Sequence, residues 1–409
     1  MFADASTVPS LRIAMIGQRG VPATFGGIEH HVEQLGSRLA ARGHEVTVYC
    51  RTNYVADRAS TYRGMRLRHL PTVGSKHLDA PVHSALSTVS ALAARFDVVH
   101  YHALGPGLLA PLPRYLSRAR VVQTIHGLDN QRAKWGWSAK ALLGSAAWLS
   151  ARVPDATIVV SSDLAEHYRS HYGRAALHVP NGVNRPACNP APAEITARWG
   201  LRKGGYLLFV GRLVPEKAPD LLIRAFAALE ADLRLVIAGD SCFTDRYTTS
   251  IRRQASADPR VILTGYVYGH PLAELYSNAA AFVLPSSLEG FPLTLLEAAS
   301  YGTPVVASSL PPHVEVLGRD GPGRRLFPSG DTDGLVRALE RCMEDRAAEV
   351  AGGAALREEV LRRYRWADVV EATERTYLRL LDRPARSPAE DRPGPGHVLR
   401  PQRVGEEAR

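Results

Sequence analysis

Two glutamates eight positions apart flank a Gly-Phe-Pro turn in the stretch EGFPLTLLE at residues 289–297. The apolar run AAFVLPS before the turn predicts a buried strand, and PLTLLEAASYG predicts a helix that begins at Pro292. A helix start offers backbone N–H groups, here of Gly290, Phe291 and Leu293, to a phosphate or a sugar hydroxyl. Glu297 is suited to two ribose hydroxyls, as acids are in dinucleotide sites. The alternative is that both glutamates are structural: Glu289 would be an N-terminal dipole partner and Glu297 an exposed helix residue.

Two long cations lie close together in VGRLVPEKAPD at residues 210–220. Arg212 leaves a predicted strand, and Lys217 follows five residues later, before a predicted helix. A guanidinium fork and a compact ammonium that converge on one strand-to-helix turn suit a diphosphate. A solvated charge patch remains the alternative for this pair taken alone.

The first half of the chain also has two loops after predicted strands whose residues could contact a ligand. Gly26 and Gly27 directly precede a helix in GQRGVPATFGGIEHHVE at 17–33, so their N–H groups can approach an anion, although the spacing is not that of a dinucleotide or P-loop motif. His126 closes a buried strand in TIHGLDNQRAKW, where Arg132 and Lys134 add donors to the same rim. A plain tight turn and a structural histidine are the alternatives.

The elements that position these residues alternate between strand and helix twice along the chain, which predicts α/β architecture with two doubly wound parallel sheets. A Pro-rich stretch at 178–194 predicts the linker, which divides the chain into domains at 1–185 and 186–365. Few aliphatic residues occur in 384–409, which predicts a disordered tail. The predicted strands are 11–17, 44–50, 96–102, 121–127, 156–162, 206–212, 233–240, 260–266, 280–286 and 303–308.

Charge is distributed unevenly over the 409 residues, whose net charge is +10. Residues 1–185 hold 21 Lys+Arg against 11 Asp+Glu, whereas the remainder is balanced at 29 each. The first half also holds 12 of the 15 histidines, so we expect its positive potential to grow in mildly acidic conditions. An anionic lipid surface or a phosphorylated substrate suits this half, and a merely solvated basic surface is the alternative. Nucleic acid is not expected because the charges are scattered and no binding motif appears.

Four separated cysteines without a C-x-x-C pair argue against a disulfide framework or a thiolate metal site. The sequence has no signal-peptide pattern and no apolar run long enough to span a bilayer, so a cytoplasmic location is expected. The stretch WGWSAKALLGSAAWLSAR at 135–152 combines Trp135, Trp137 and Trp148 with Leu142, Leu143 and Leu149. It suits either an interfacial helix at the inner face of the plasma membrane or ordinary core packing.

Four motifs together resemble the retaining glycosyltransferases of family 4, which have the GT-B fold: the E-x7-E pattern of Glu289 and Glu297, GRLVPEK, the Gly-Gly loop and VPNGV. The resemblance covers about residues 11–380. Within the family, GQRGVPATFGGIEHHVE and HGLDNQRAKWG resemble a subgroup that includes bacterial rhamnosyltransferases. The family resemblance implies two facing Rossmann-like domains with the active site in the cleft between them, and a helix at 366–383 that crosses back to the first domain. Because the two halves of the site lie on different domains, we expect the domains to close on donor binding.

The resemblance also implies roles for the site residues. Arg212 and Lys217 would hold the donor diphosphate, Glu297 its ribose, and Glu289 the transferred sugar, beside His126. Tyr266 would lie at the base, and Gly27 would approach the diphosphate from the other domain. The implied catalytic residues are His126, Glu289, Arg212 and Lys217, and the implied donor-binding residues are Gly26, Gly27, Tyr266, Gly290, Phe291, Leu293, Thr294 and Glu297.

The implied reaction moves a hexosyl or deoxyhexosyl group from a nucleotide-diphosphate sugar to a saccharide or polyprenyl-diphosphate-linked acceptor. No cofactor and no metal are expected, because cations and helix-start amides would offset the charge of the leaving diphosphate. D-T-D at 331–333 resembles a metal pattern of another glycosyltransferase fold, but Asp331 suits a helix N-cap better. A sugar-nucleotide epimerase and a non-catalytic sugar-nucleotide-binding protein remain alternatives.

Overall fold

Two helix-covered parallel β-sheets follow each other along the chain in the computed structural model. It describes residues 9–24, 26–54, 58–75, 78–128, 137–240 and 245–382, without the side chains of 137–141 and 245. The donors Arg132 and Lys134, the side chains of Trp135 and Trp137, and the predicted tail at 384–409 lie outside this description. No helix in these ranges has the length and apolar character needed to cross a bilayer.

The first sheet has eight strands in the order β3-β4-β2-β1-β5-β6-β7-β8, and all of its pairs are parallel except β3 with β4. Its central strands are buried along their length because β-branched and aromatic residues pack against helices on both faces. The strands are β1 Arg12–Ile16, β2 Glu45–Arg51, β3 Thr61–Tyr62, β4 Met65–Leu70, β5 Val98–His102, β6 Arg120–Ile125, β7 Ala156–Val159 and β8 Leu177–His178. The helices are α1 Gly27–Ala41, α2 Asp79–Ala93, α3 Pro111–Leu116, α4 Trp137–Arg152 and α5 Ser162–Tyr172, with a 3₁₀ turn at Pro106–Leu109.

The second sheet has six parallel strands in the order β11-β10-β9-β12-β13-β14. Its strands are β9 Tyr206–Val210, β10 Arg234–Ala238, β11 Val261–Gly265, β12 Ala281–Leu284, β13 Val305–Ser308 and β14 Arg324–Phe327. The helices are α6 Glu194–Trp199, α7 Pro219–Ala227, α8 Asp245–Ser256, α9 Gly269–Asn278, α10 Leu293–Ser300, α11 Pro311–Leu317, α12 Thr332–Glu344, α13 Arg346–Arg363 and α14 Trp366–Leu381, with a 3₁₀ turn at Pro215–Lys217. Strand order reverses between β1 and β5 and between β9 and β12, and such reversals open crevices at the carboxyl ends of the strands.

The last helix, α14, packs on the first domain. Its apolar face, which includes Trp366, Val369 and Tyr377, joins the core built from β1, β2 and α1. Gly182 lies against the Trp366 ring so closely that an added Cβ would come 2.6 Å from it. The Val183 N–H donates to the Tyr364 carbonyl at 2.8 Å, so the segment that leaves the first domain and the segment that returns to it run side by side.

The predicted fold class, α/β with two parallel sheets, is confirmed, and each predicted strand is present with its ends moved by a few residues. Four strands were not predicted: β3, β4, β8 and β14. Asp331 is the N-cap of α12, as predicted, and its carboxylate accepts a 2.9 Å hydrogen bond from the Gly334 N–H. The predicted helix start at Pro292 is wrong by one position, because Pro292 has φ −88° and ψ 78° and is the N-cap of α10.

Candidate functional site

The candidate residues lie in loops that follow the strands on both sheets. Arg212 follows β9, Tyr266 follows β11, Glu289 follows β12 and His126 follows β6, whereas Gly26 and Gly27 begin α1 after β1. Because β9 and β12 are neighbours, the loops of Arg212 and Glu289 are adjacent. Tyr266 lies three strand positions from Glu289, roughly 14 Å along the sheet edge at the usual strand spacing. The structure thus groups the cations with Glu289 and sets Tyr266 apart.

Lys217 and Glu289 form an ion pair between the two neighbouring loops. The Lys217 ammonium donates to Glu289 Oε1, and the Ser286 hydroxyl donates to the same oxygen at 2.8 Å. Both side chains are mostly buried, 18% and 7% exposed. The Ser287 N–H also donates to the Glu216 carbonyl at 2.9 Å, which ties the loops together through the backbone. Lys217 is therefore held at Glu289, beside Arg212 on the same turn.

Burial and neighbouring charge act in opposite directions on Glu289. Burial alone raises the pKa of its carboxyl, but the Lys217 ammonium, with His313 and the Ser286 hydroxyl, lowers it below the ordinary 4.5. His313 is buried on α11, its Nδ1 bonds the Ser308 carbonyl at 2.8 Å, and burial lowers its pKa. Glu289 is consequently a carboxylate at neutral pH. Nothing in the sequence around His313 indicated this role.

The two domains touch at Gly290 and His126. An added Cβ on Gly290 would lie 1.9 Å from the His126 carbonyl oxygen and 2.8 Å from Gly127 Cα, so glycine is needed for this close approach. An added Cβ on Gly27 would lie 3.0 Å from a Leu293 methyl group, which places the α1 start against the α10 start. Two loops of the first domain therefore face the Glu289 loop across the cleft.

The start of α10 offers fewer amides than expected. The Leu293 N–H donates to the Phe291 carbonyl at 3.1 Å, so its expected role as a free donor is corrected. Within the described ranges, the N–H groups of Gly290 and Phe291 have no protein acceptor. The Phe291 ring is buried against Tyr364, with ring centroids 5.7 Å apart, and Thr294 is partly buried on the first turn. Two amides remain available to a ligand.

Glu297 and Tyr266 are each hydrogen-bonded to residues other than Lys217 and Glu289. Glu297, partly buried on α10, accepts a 3.0 Å hydrogen bond from the Tyr276 hydroxyl, and Tyr276 stacks on Tyr301. Burial, and then Glu297, raises the pKa of Tyr276 well above its ordinary value, so its hydroxyl stays a donor. Tyr266 donates to the Asp240 carbonyl at 3.0 Å and stacks on Tyr268.

Two acids that the sequence analysis did not single out hold the loop before α1. Glu29 Oε1 accepts the Arg19 N–H at 3.0 Å, and Glu33 Oε2 accepts the Ala23 N–H at 2.7 Å. They stand four positions apart on α1, hence on one face of the helix. This spacing, visible in GGIEHHVE, was the available signal. Together they fix the loop that ends at Gly26.

Four histidines, His31, His100, His102 and His126, pack their rings against one another and are called the histidine cluster. Burial lowers the pKa of His31 to about 4 and of His100 to about 3, and it lowers those of the other two well below the ordinary value. The expected growth of positive potential in mild acid is therefore wrong for these four. His100 and His102 are two apart on β5 and share a face, which the spacing in FDVVHYH indicates.

Both halves of the chain match sequence profiles of glycosyltransferases. The profile "Glycosyltransferase Family 4" matches residues 25–185, and "Glycosyl transferases group 1" matches residues 204–345. A GDP-mannose-dependent alpha-(1-6)-phosphatidylinositol monomannoside mannosyltransferase of Mycobacterium tuberculosis is 30% identical over 386 residues, which are 88% of this chain and 96% of the relative.

Two solved structures share the fold. Sucrose-phosphate synthase from Thermosynechococcus elongatus superposes with a TM-score of 0.77 at 23% identity, covering 90% of this chain and 98% of that one. Anabaena Alr3699/HepE in complex with UDP and glucose superposes with a TM-score of 0.75 at 18% identity, covering 90% and 100%. At these identities the superpositions establish the GT-B architecture.

Proposed function

Because this chain belongs to the family 4 glycosyltransferases with the GT-B fold, we propose that it moves a hexosyl or deoxyhexosyl group from a nucleotide-diphosphate sugar to an acceptor with retention of anomeric configuration. The observation that carries the proposal is the contact of Gly290 with His126, which sets the cation-bearing loops of one domain against the histidine end of the other. The similar mannosyltransferase is named for GDP-mannose, and HepE was solved with UDP and glucose.

The donor in this proposal lies across the ends of β9, β12 and β11. Arg212 and Lys217 bind the diphosphate, with Gly26 and Gly27 approaching it from α1. Glu297 binds the ribose, and Tyr266 packs near the base. Glu289, the Gly290 and Phe291 amides and Thr294 surround the transferred sugar, beside His126. The support is that cations suited to phosphate and an acid suited to hydroxyls already share the adjacent loops.

The chemical step breaks the bond between the anomeric carbon and the diphosphate oxygen, whose electron pair stays on the diphosphate. The acceptor hydroxyl oxygen attacks the anomeric carbon from the same face, and its proton passes to the departing phosphate oxygen. The sugar becomes oxocarbenium-like and carries positive charge, and the ionised Glu289 stabilises that charge. Charge on the diphosphate is offset by Arg212, Lys217 and the Gly290 and Phe291 amides, so we propose that no metal ion is needed on the diphosphate.

In this scheme Lys217, which is paired with Glu289, gains the donor diphosphate as a second partner. Before the donor binds, its ammonium is neutralised by Glu289 in a mostly buried setting. An incoming diphosphate provides a stronger anion, and the ammonium then bridges phosphate and carboxylate. The exchange keeps Lys217 paired throughout, which avoids the cost of a buried single charge.

The acceptor in this proposal is a saccharide or a lipid-linked saccharide used in cell-surface polysaccharide or glycolipid assembly. A surface on the first domain, called the α2–α4 surface, suits contact with an anionic membrane. Its exposed apolar side chains are Leu86, Val89, Leu112, Tyr115, Leu116, Leu142 and Trp148. Exposed Arg95, Arg118 and Arg152 border them, and Arg152 lies over the Trp148 ring at 4.7 Å. Leu143, by contrast, is buried.

The elements of this surface are joined. Arg114 on α3 donates to the Val153 carbonyl, just after α4, at 3.1 Å, and α2 packs on α3. Apolar residues flanked by arginine on joined helices match the interface of an anionic bilayer. We therefore propose a cytoplasmic enzyme that binds the inner face of the plasma membrane peripherally.

Nucleotide binding tests the donor site. We expect one of UDP, GDP, dTDP and ADP, offered alone and as sugar conjugates, to raise the melting temperature selectively. Arg212→Ala combined with Lys217→Ala should abolish the shift, whereas the exposed pair Arg337→Ala with Arg341→Ala should keep it. Stabilisation by none of the nucleotides would refute the donor site and favour a non-catalytic protein of another kind.

Transfer is tested with the nucleotide that binds. Release of nucleoside diphosphate that requires an acceptor, with a product of retained configuration, supports the proposal. A change of the sugar in donor alone would instead identify an epimerase. If the subgroup resemblance to rhamnosyltransferases is sound, dTDP-rhamnose will be turned over faster than GDP-mannose and UDP-glucose.

Membrane contact is tested by flotation with vesicles that contain anionic lipid. Leu116→Ser with Trp148→Ser should remove binding at low salt. The matched control is Val350→Ser, because Val350 is 55% exposed but lies on α13 in the other domain. Equal flotation of the double variant and the wild type would refute a role for the α2–α4 surface.

A further inference from the structure

Three members of the histidine cluster present nitrogen atoms to one point. One ring nitrogen each from His31, His102 and His126 lies within 4.8 Å of the others. The rings come from three elements, since His31 is on α1, His102 ends β5 and His126 follows β6. Their ring centroids are 4.7 to 5.6 Å apart. Such packing of polar rings without intervening apolar side chains requires an explanation.

The hydrogen bonds fix the free nitrogen of His31. Its Nδ1 lies 2.6 Å from Asn181 Oδ1, and because an amide oxygen only accepts, Nδ1 carries the proton. Nε2 then has a free lone pair, yet it is buried and has no partner within the described part of the chain. A buried nitrogen of this kind is costly unless something binds it.

The spacing of the other two histidines is compatible with a shared tetrahedral ion. His102 Nδ1 and His126 Nε2 are 3.3 Å apart. Two imidazole nitrogens at zinc bond lengths of 2.0–2.1 Å and a tetrahedral angle are separated by about 3.3 Å. His100 differs from the other three, because both of its ring nitrogens are hydrogen-bonded. Nδ1 lies 2.6 Å from the Tyr377 hydroxyl and Nε2 lies 2.7 Å from the Thr124 hydroxyl.

We propose that His31, His102 and His126 bind a zinc ion with one coordination position left open. Three imidazoles plus an exchangeable ligand are a recurrent zinc set, and burial keeps the rings in the neutral form that binds metal. The Asn181 contact to His31 is the outer-shell bond that orients metal-binding histidines. This site goes beyond the transfer reaction proposed above and involves no metal on the diphosphate.

The charge of the zinc ion and the position of His126 relate the site to the cleft. Three neutral ligands leave both positive charges of the ion uncompensated, so an anion at the open position is favoured. His126 is the partly buried member and continues into Gly127, which faces Gly290. We therefore expect hydroxide or another anion as the fourth ligand.

Metal content tests the site without any activity measurement. Chelator-treated full-length protein is dialysed against Zn²⁺ alone, and bound zinc is measured by mass spectrometry. We expect about one ion per chain, with at least 10-fold weaker binding in His31→Gln and in His102→Gln. His30→Gln is the matched control, because His30 is adjacent on α1 but is not one of the three histidines whose nitrogens lie together. No bound zinc, or unchanged binding in both variants, would overturn the proposal.

Cobalt provides a measurement that does not depend on the variants folding. Co²⁺ added to the chelator-treated wild-type protein should give the intense visible bands of four-coordinate cobalt with nitrogen ligands. His100→Gln should retain those bands, since both nitrogens of His100 are already bonded. Spectra typical of six-coordinate aqueous cobalt would overturn the proposal. Loss of nucleotide binding, tested separately, would refute the donor site and leave this one standing.

Discussion

The Lys217 ammonium and the Glu289 carboxylate form a mostly buried ion pair that joins the loops after β9 and β12. The pair connects a cation suited to a diphosphate with an acid suited to the transferred sugar. A change at either residue therefore alters the charge felt by the other. Breaking a buried pair by removing one member is costly, because the remaining charge has no compensation.

Glu289→Gln removes the charge of the carboxylate and keeps its shape. We expect kcat for sugar transfer to fall by about 10²–10³-fold, the usual loss for one preorganised electrostatic contact, while nucleotide affinity stays nearly the same. Steady-state kinetics and calorimetric titration check the two quantities. Glu340→Gln, an exposed change on α12, serves as the control. Near-normal transfer by Glu289→Gln would show that Glu289 has another role.

Acid should weaken the contribution of Glu289 to stability. Its pKa in the folded protein lies below the ordinary 4.5, so the stabilisation is fully present above pH 4.5 and is lost as the pH falls through the lower, folded value. The difference in unfolding free energy between wild type and Glu289→Gln should thus shrink on acidification from pH 5. Urea unfolding of both proteins measures it. If the difference in unfolding free energy grew on acidification, the pKa of Glu289 would not be lowered in the folded protein.

Gly290→Ala tests the contact between the domains. The added methyl group would lie 1.9 Å from the His126 carbonyl oxygen, so the two loops must separate. A displacement of about 1 Å in a positioned site costs about 10²-fold in rate, and we expect that loss in kcat/KM. Gly321→Ala is the control, since an added Cβ there meets no atom within 4 Å. Equal activity of the two variants would mean that the contact is dispensable.

The histidine cluster should make stability fall between pH 6.5 and 4. Burial lowers the pKa of His31 to about 4 and of His100 to about 3, so the unfolded chain takes up protons first as the pH drops. Each such histidine costs about 1.4 kcal/mol per pH unit in this window, and the cost is absent above it. His100→Gln should reduce the slope by that amount in urea unfolding of zinc-free protein. A slope equal to that of the wild type would argue against a buried neutral His100.

The N-cap of α12 has a predictable energy. Asp331→Ala should reduce the unfolding free energy by about 1 kcal/mol, because the Gly334 N–H loses its acceptor. Asp333→Ala, in the first turn of the same helix and exposed, is the control and should cost less. Urea unfolding distinguishes the two. No loss in Asp331→Ala would show that water replaces the cap.

Strands with a long apolar run were predictable, whereas short or mixed strands were not. β3 and β8 have two residues each, too few for any periodicity, and β14 reads RRLF. β4, MRLRHL, does alternate between apolar and basic residues, but it lacks the continuous apolar run of the predicted strands. Its apolar residues face the core and its arginines face solvent, which is a readable pattern.

The site was predictable as a set of strand ends, but its internal pairing was not. The loops after β9 and β12 meet only because β9 lies beside β12, an order that no local pattern encodes. For the same reason His313, from α11, and His31, from α1, were missed. Gly290 was noticed for its amide, whereas its main structural property is the absence of a side chain. Long-range packing decides such contacts, and a single sequence does not display it.

The side-by-side crossing of the chain at Val183 and Tyr364 has a mechanical meaning. Two backbone segments, joined by a 2.8 Å hydrogen bond, connect the two domains at this crossing. We expect any closure of the cleft to turn about this crossing, because the chain passes between the two domains here in both directions. A shared pivot for both segments would bring the loops of Gly290 and His126 together along one path.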